Sequence, residues 1–191
     1  MRDIEKKAEV SQQTIEHFKS IPWVAQYLAD ESFKPFYQSR VVTHGGEGHT
    51  LTGKTWHTDD TIKELLSTYR QPSRNSIDEE VRGEVRRFYT FGKGLNAHPG
   101  LLHGGVIATL LDSTLGSAVG MSDPDGGRTM FTVQLNVAYR NPVRTPGTIM
   151  ITSWVTKREG RKVWVSGRIE GGNGEIHAEG EGLWLAQKAK I

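Results

Sequence analysis

The sequence predicts an α+β fold in which an antiparallel sheet wraps around one long central helix, and three observations carry that prediction. From Val106 to Met121 nearly every side chain is apolar or small, with Ile107, Leu110, Leu111, Leu115 and Val119 the larger members. A helix apolar around most of its circumference belongs inside a domain. After it, Phe131, Val133, Leu135, Val137 and Tyr139 alternate with Thr132, Gln134, Asn136 and Ala138, the period of a strand. Further strands are expected near 148–157, 162–170 and 175–186, separated by Pro146-Gly147, Glu159-Gly160 and Gly171-Gly172-Asn173-Gly174. Short glycine-rich turns of this kind join neighbouring strands of a meander.

Composition narrows the class. A chain of 191 residues favours one domain with a sizeable core. A formal charge of +2 gives no argument for a nucleic-acid partner. With no cysteine, disulfides, thiolate nucleophiles and cysteine metal sites are excluded. The opening MRDIEKKAEVSQQ mixes acidic residues with no apolar run, so neither a signal nor a transit peptide is expected. The apolar run at 106–121 is interrupted by Asp112-Ser113-Thr114 and reads as a core helix, not a membrane span. A cytoplasmic protein without membrane insertion is the expectation.

Taken in order, residues 1–80 read as a helical and loop extension packed on a core domain at 81–191. Ile15, Phe18 and Ile21 fall near helical spacing, and Trp23, Val24 and Leu28 continue a second patch after Pro22. Residues 38–58 read as a loop. Thr58-Asp59-Asp60 then offers helix-capping chemistry before TIKELLSTYR, and QPSRNSIDEE leads to a first strand near 85–91. Within the loop, Gly48 to Thr55 matches the phosphate-loop pattern GxxxxGK[ST]. That motif works only between a buried strand and a helix that starts at once, which the neighbouring sequence does not offer. His44, His49 and His57 have no usual ligand spacing, so neither a metal nor a cofactor is expected. SDPDGGR, at 122–128, is turn chemistry.

The candidate chemistry lies at the start of the central helix. A helix beginning near Gly104 presents backbone N–H groups without intrahelical partners, and its dipole adds positive charge there. Gly104 and Gly105 let a ligand atom approach that backbone, a nest suited to a carbonyl oxygen becoming an oxyanion. Asp112 lies more than two turns on, and a lone buried carboxylate needs a reason to be there. It could serve as base or nucleophile, or be a tolerated polar residue behind a glycine-rich loop.

HGGVIATLLDSTLG (103–116), FTVQLNVAYRNPV (131–143) and EGRKVWVSGRIEG (159–171) together resemble the hotdog-fold acyl-CoA thioesterases. The likeness is to the branch holding the phenylacetate-pathway and thioesterase-superfamily-member enzymes, and the N-terminal part resembles an extension of fungal members. The resemblance implies a hotdog fold and a site at a homodimer interface, with stacking into a tetramer a further expectation. It implies that Asp112 activates water or attacks the thioester carbonyl, and that His103 with the Gly104 and Gly105 amides polarises it; the other reading of His103 is a structural imidazole that caps the loop. It also implies that Thr132 orients the water, or the carboxylate of the partner subunit. The substrate would be an acyl-CoA or acyl-carrier-protein thioester.

Arg140, Arg144, Lys157, Arg158, Arg161 and Lys162 gather around three strand ends. They are either solvated surface or a site for the phosphates of coenzyme A or of a carrier's pantetheine arm. Asn136 completes the expected substrate-binding set. A hydratase of the same fold would pair Asp with His five residues on, where this chain has Ser117. A non-catalytic acyl-binding module is the other alternative. A homodimer is expected to form along the strand at 129–139, whose edge an isolated sheet would leave unpaired.

Overall fold

The computed structural model describes residues 10–36, 40, 42, 44–74, 80–123 and 128–187. The segment before Val10 and the part of the expected turn at 124–127 lie outside them. Two short helices open the described chain. Helix α1, Gln12–Lys19, is capped by Ser11, whose hydroxyl accepts the Thr14 N–H at 3.1 Å. Helix α2, Pro22–Leu28, begins with proline, where a missing N–H costs nothing.

The strands of the main sheet are β1 (Lys34–Pro35), β2 (Ile62–Arg70), β3 (Glu84–Phe91), β4 (Met130–Tyr139), β5 (Gly147–Glu159), β6 (Lys162–Glu170) and β7 (Ile176–Ala186). They form one seven-stranded antiparallel sheet in the order β1-β2-β3-β5-β6-β7-β4. The central helix α3, Gly104–Met121, lies against one face of that sheet and packs on β3 to β7. Val106, Ile107, Leu110, Leu111, Leu115 and Val119 are buried there with Val85, Tyr89, Ile151, Val165 and Trp184. At 18 residues α3 is long and apolar enough to cross a membrane, yet its apolar side chains are largely taken up by the sheet. This is the expected α+β arrangement, a sheet wrapped around a helix.

The first two helices cover the opposite face, as the spacing of their apolar residues predicts. Phe18 and Val24 join Leu66, Phe88 and Met150 in a second cluster. Two polar contacts fix α1 in place: Thr14 Oγ1 donates to Glu64 at 2.9 Å, and His17 Nε2 lies 2.9 Å from Thr90 Oγ1.

Two elements differ from the expectation. TIKELLSTYR is strand β2, not a helix. Its Ile62, Leu65, Leu66 and Tyr69 have helical spacing for two reasons. A bulge between Ile62 and Glu64 shifts the alternation, and both faces are covered, so Leu66 packs under α1 and α2 while Leu65 and Tyr69 pack under α3. The sheet thus takes two strands from before residue 81. In β4 the alternation also slips. Thr132 pairs with Trp184 and Gln134 with Leu183, leaving Val133 as an extra residue. Met130 and Thr132 before the bulge therefore share a face with Leu135 and Val137 after it. The Gly48–Thr55 stretch winds into one π turn, Leu51–Thr55, and leads to a strand, so the helix a phosphate loop requires is not there.

Candidate active site

His103 caps α3 with an extended backbone, φ −66° and ψ 134°, and its Nδ1 accepts the Gly105 N–H at 2.8 Å. An Nδ1 that accepts carries no proton, so the ring's N–H is on Nε2. The expectation that both glycine amides face a ligand is therefore corrected: Gly105 N–H belongs to the imidazole. A Cβ at Gly105 would stand 3.0 Å from His103 Nδ1, which is why glycine serves here. The Gly104 N–H has no partner among the described residues and sits at the positive end of the helix. Tyr139 flanks it, its hydroxyl donating to the Gly104 carbonyl at 3.0 Å.

Asp112 is eight residues further along α3, about 12 Å at 1.5 Å per residue. One of its oxygens is held: Thr132 Oγ1 donates to Asp112 Oδ1 at 2.8 Å. Whereas the resemblance implied that Thr132 orients the water or the carboxylate of a partner subunit, this bond lies within one chain. The bulge at Val133 makes it, since it turns Thr132 toward the helix. The pair opens on a cleft of about 420 Å³ whose walls include Leu51, Thr109, Ser113, Ser117 and Trp184. Among these, Leu51 comes from the loop of the N-terminal extension, where His49 holds the left-handed φ of 56°.

Beneath that cleft is a residue that the sequence did not announce. Arg87, on β3, is 1% exposed and has no carboxylate partner among the described residues. Its Nε donates to Ser67 Oγ at 2.7 Å, Nη1 to Ser113 Oγ at 2.9 Å and Nη2 to Ser117 Oγ at 2.6 Å. Ser113 and Ser117 are four apart, on one side of α3, which was the available signal. An arginine inside a strand gives no hint of which helix it will reach.

The remaining expected residues are dispersed. Asn136 lies on the face of β4 away from Asp112, in a groove with Gln134, Trp164 and Glu181, because the bulge reverses the pattern read from the sequence. Arg140 pairs with Glu179 at 2.8 Å and Arg144 bridges to Leu101, both near one end of the sheet. Arg161 donates to the Ala186 carbonyl at 3.0 Å, and Lys162 lies opposite Leu185, at the other end. Along β7, Glu179 and Ala186 are roughly 23 Å apart at about 3.3 Å per residue. Arg158 donates to Ser122 Oγ at 3.1 Å and lies 4.0 Å from Asp123, while Lys157 pairs with Glu159. The basic residues are thus two groups and not one patch.

Residues 99–177 match the sequence profile of the Thioesterase superfamily. Over 95 residues, 49% of this chain, the sequence is 36% identical to acyl-coenzyme A thioesterase THEM4 of Bos taurus, covering 37% of that protein. It is 39% identical to the Xenopus laevis protein of the same name over 95 residues, covering 49% of this chain and 41% of that relative. The matched stretch spans less than half the length of either. The crystal structure of BH2602 from Bacillus halodurans with CoA superimposes with a TM-score of 0.50 at 28% identity, covering 57% of this chain and 70% of that one. The profile match runs from the turn before α3 to the start of β7, with Asp112 and Thr132 inside it; this part of the chain is similar to the thioesterase superfamily and has the hotdog arrangement of sheet and helix.

Proposed function

We propose that this chain hydrolyses acyl-CoA thioesters, with Asp112 as general base. One observation carries the reading: the 2.8 Å bond from Thr132 to Asp112 Oδ1 at the wall of a cleft. A hydroxyl holding one carboxylate oxygen leaves the other free to take a proton. Water attacks the carbonyl carbon as Asp112 removes its proton, and the C–O bond forms as the carbonyl π pair moves onto oxygen. The tetrahedral intermediate then expels the thiolate, which recovers the proton from Asp112. The acid and the thiol are the products.

The oxyanion needs a donor, and the Gly104 N–H supports that role. It is about 12 Å along the helix from Asp112 of its own chain, too far for both to serve one carbonyl. The two halves meet if a second copy joins along β4, whose outward Phe131 and Val133 are 54% and 57% exposed. In that homodimer each site takes its amide from one subunit and its Asp112–Thr132 pair from the other.

The test is Asp112→Asn, which keeps the shape but cannot accept a proton. Its kcat on acyl-CoA, read by release of free thiol, should fall by about 10²–10⁴. Thr132→Ala should lose less, and its effect should not add fully to that of Asp112→Asn. Parental activity in Asp112→Asn would end the assignment. If Asp112 is the nucleophile instead, single-turnover hydrolysis in heavy-oxygen water would label its carboxylate.

A further inference from the structure

Arg87 is a full charge in the apolar layer between the sheet and α3, and the described residues compensate it only with neutral hydroxyls. Burying a cation without a counter-charge is costly, so such a residue is kept for what it does to its partners. Two of those partners, Ser113 and Ser117, line the cleft beside Asp112. The Ser117 hydroxyl donates to the Ser113 carbonyl at 3.0 Å, so its proton is in use. The Ser113 oxygen accepts from Arg87 at 2.9 Å, and its own proton has no acceptor among the described residues. An oxygen that accepts from a guanidinium becomes a stronger donor, because hydrogen bonds in a chain polarise one another. Ser113 thus offers a charge-backed O–H one residue from the base, in a cleft that an acyl chain can enter between Leu51, Met130 and Trp184.

We infer that the acyl group received here carries an acceptor oxygen of its own, a keto or carboxylate oxygen beyond the thioester, which the Ser113 hydroxyl binds with the Arg87 charge behind it. The inference rests on the thioesterase reading for the identity of the ligand as an acyl-CoA. It adds the class of acyl group. The arginine does not touch the substrate; it is a positioning residue that works through the serine. A keto oxygen would gain from the hydrogen bond alone, a carboxylate also from the uncompensated charge.

Matched acyl-CoAs separate these cases: butyryl-CoA, acetoacetyl-CoA and succinyl-CoA, with hexanoyl-CoA, 3-oxohexanoyl-CoA and adipoyl-CoA as the longer set. Binding is measured by calorimetry on Asp112→Asn, so that the esters are not consumed, and kcat/KM on the parent enzyme. In at least one set an oxygenated ester should bind, and be turned over, roughly ten- to a hundredfold better than its alkyl counterpart, the range of a charge-assisted bond. In Ser113→Ala that ratio should collapse toward one. Arg87→Met should lower it too, and a melting curve shows whether that variant folds; if it does not, Ser113→Ala alone decides. Preferential binding without turnover of any ester would end the thioesterase reading and leave this one standing. Equal binding of the members of both sets, binding of none of them, or a Ser113→Ala enzyme that keeps the parental ratio would overturn it.

Discussion

Gly104 holds the first helical position of α3, where every helix leaves an N–H without an internal partner. Proline is tolerated at that position because it removes only a group that the helix does not use. His103, with ψ 134°, already has the extended backbone that a residue before proline adopts. Gly104→Pro therefore deletes the donor proposed for the oxyanion and little else. Its kcat should fall by about 10²–10³, the cost of removing one oxyanion donor, with the circular dichroism of the parent. A variant that folds like the parent and turns over at the parental rate would remove this amide from the mechanism. Asp112 and the HGG turn were legible at this scale, since a carboxylate in an apolar run and paired glycines before it are visible as residue types. A capping imidazole was one of the two readings of His103, but that it would take the Gly105 amide was not legible, because a ring's orientation is set by the packing around it.

Among the elements, the far end of α3 is held by charge. Asp123 follows the helix and is paired with Arg128, with Arg158 4.0 Å away. The hydrogen bond from Arg128, helped by both cations, lowers the Asp123 carboxyl from its ordinary value, against the opposing effect of burial. A carboxyl lowered in the folded state stabilises it fully above the unfolded value, near pH 3.9, and loses that contribution as pH falls through the folded value. Asp123→Asn should therefore melt earlier than the parent at neutral pH, with the gap closing below about pH 4. A gap independent of pH would show that shape and not charge anchors this end.

The strands were legible to within a residue or two where one face met the core and turns were marked by glycine. They were misread where that condition failed. Strand β2 is covered on both sides and bulged, so its pattern imitates a helix. In β4, one extra residue moves Asn136 to the other face while keeping Thr132 on Asp112. Bulges have no residue signature strong enough to locate them in advance, and each displaces the phase of everything beyond it.

For the whole molecule the question is which groups share a site. If the Gly104 amide and the Asp112–Thr132 pair of one site come from two subunits, Asp112→Asn and Gly104→Pro should complement each other. Half the dimers in a random mixture are hybrids, and each hybrid has one site with both groups intact. Unfolding and refolding the two variants together should thus restore about a quarter of the parental sites. No recovery in a mixture shown to contain hybrids would place both groups in one subunit. The basic residues were legible as composition but not as a patch, since strands that are neighbours in sequence order carried them to opposite ends of the sheet.

The two edges of the sheet are unequal: β1 has two residues and β4 has ten. In the language of polymerisation, such a molecule is a monofunctional monomer. It carries one end that can react with its like, and reacting consumes it. Two copies joined along β4 turn outward the β1 side of the sheet, where a two-residue strand covers Thr68 and Tyr69 of β2, so the long β4 edges are used up at the first step. A free edge of ten residues would ordinarily be an invitation to fibres. In the proposed homodimer that edge is consumed by the pairing.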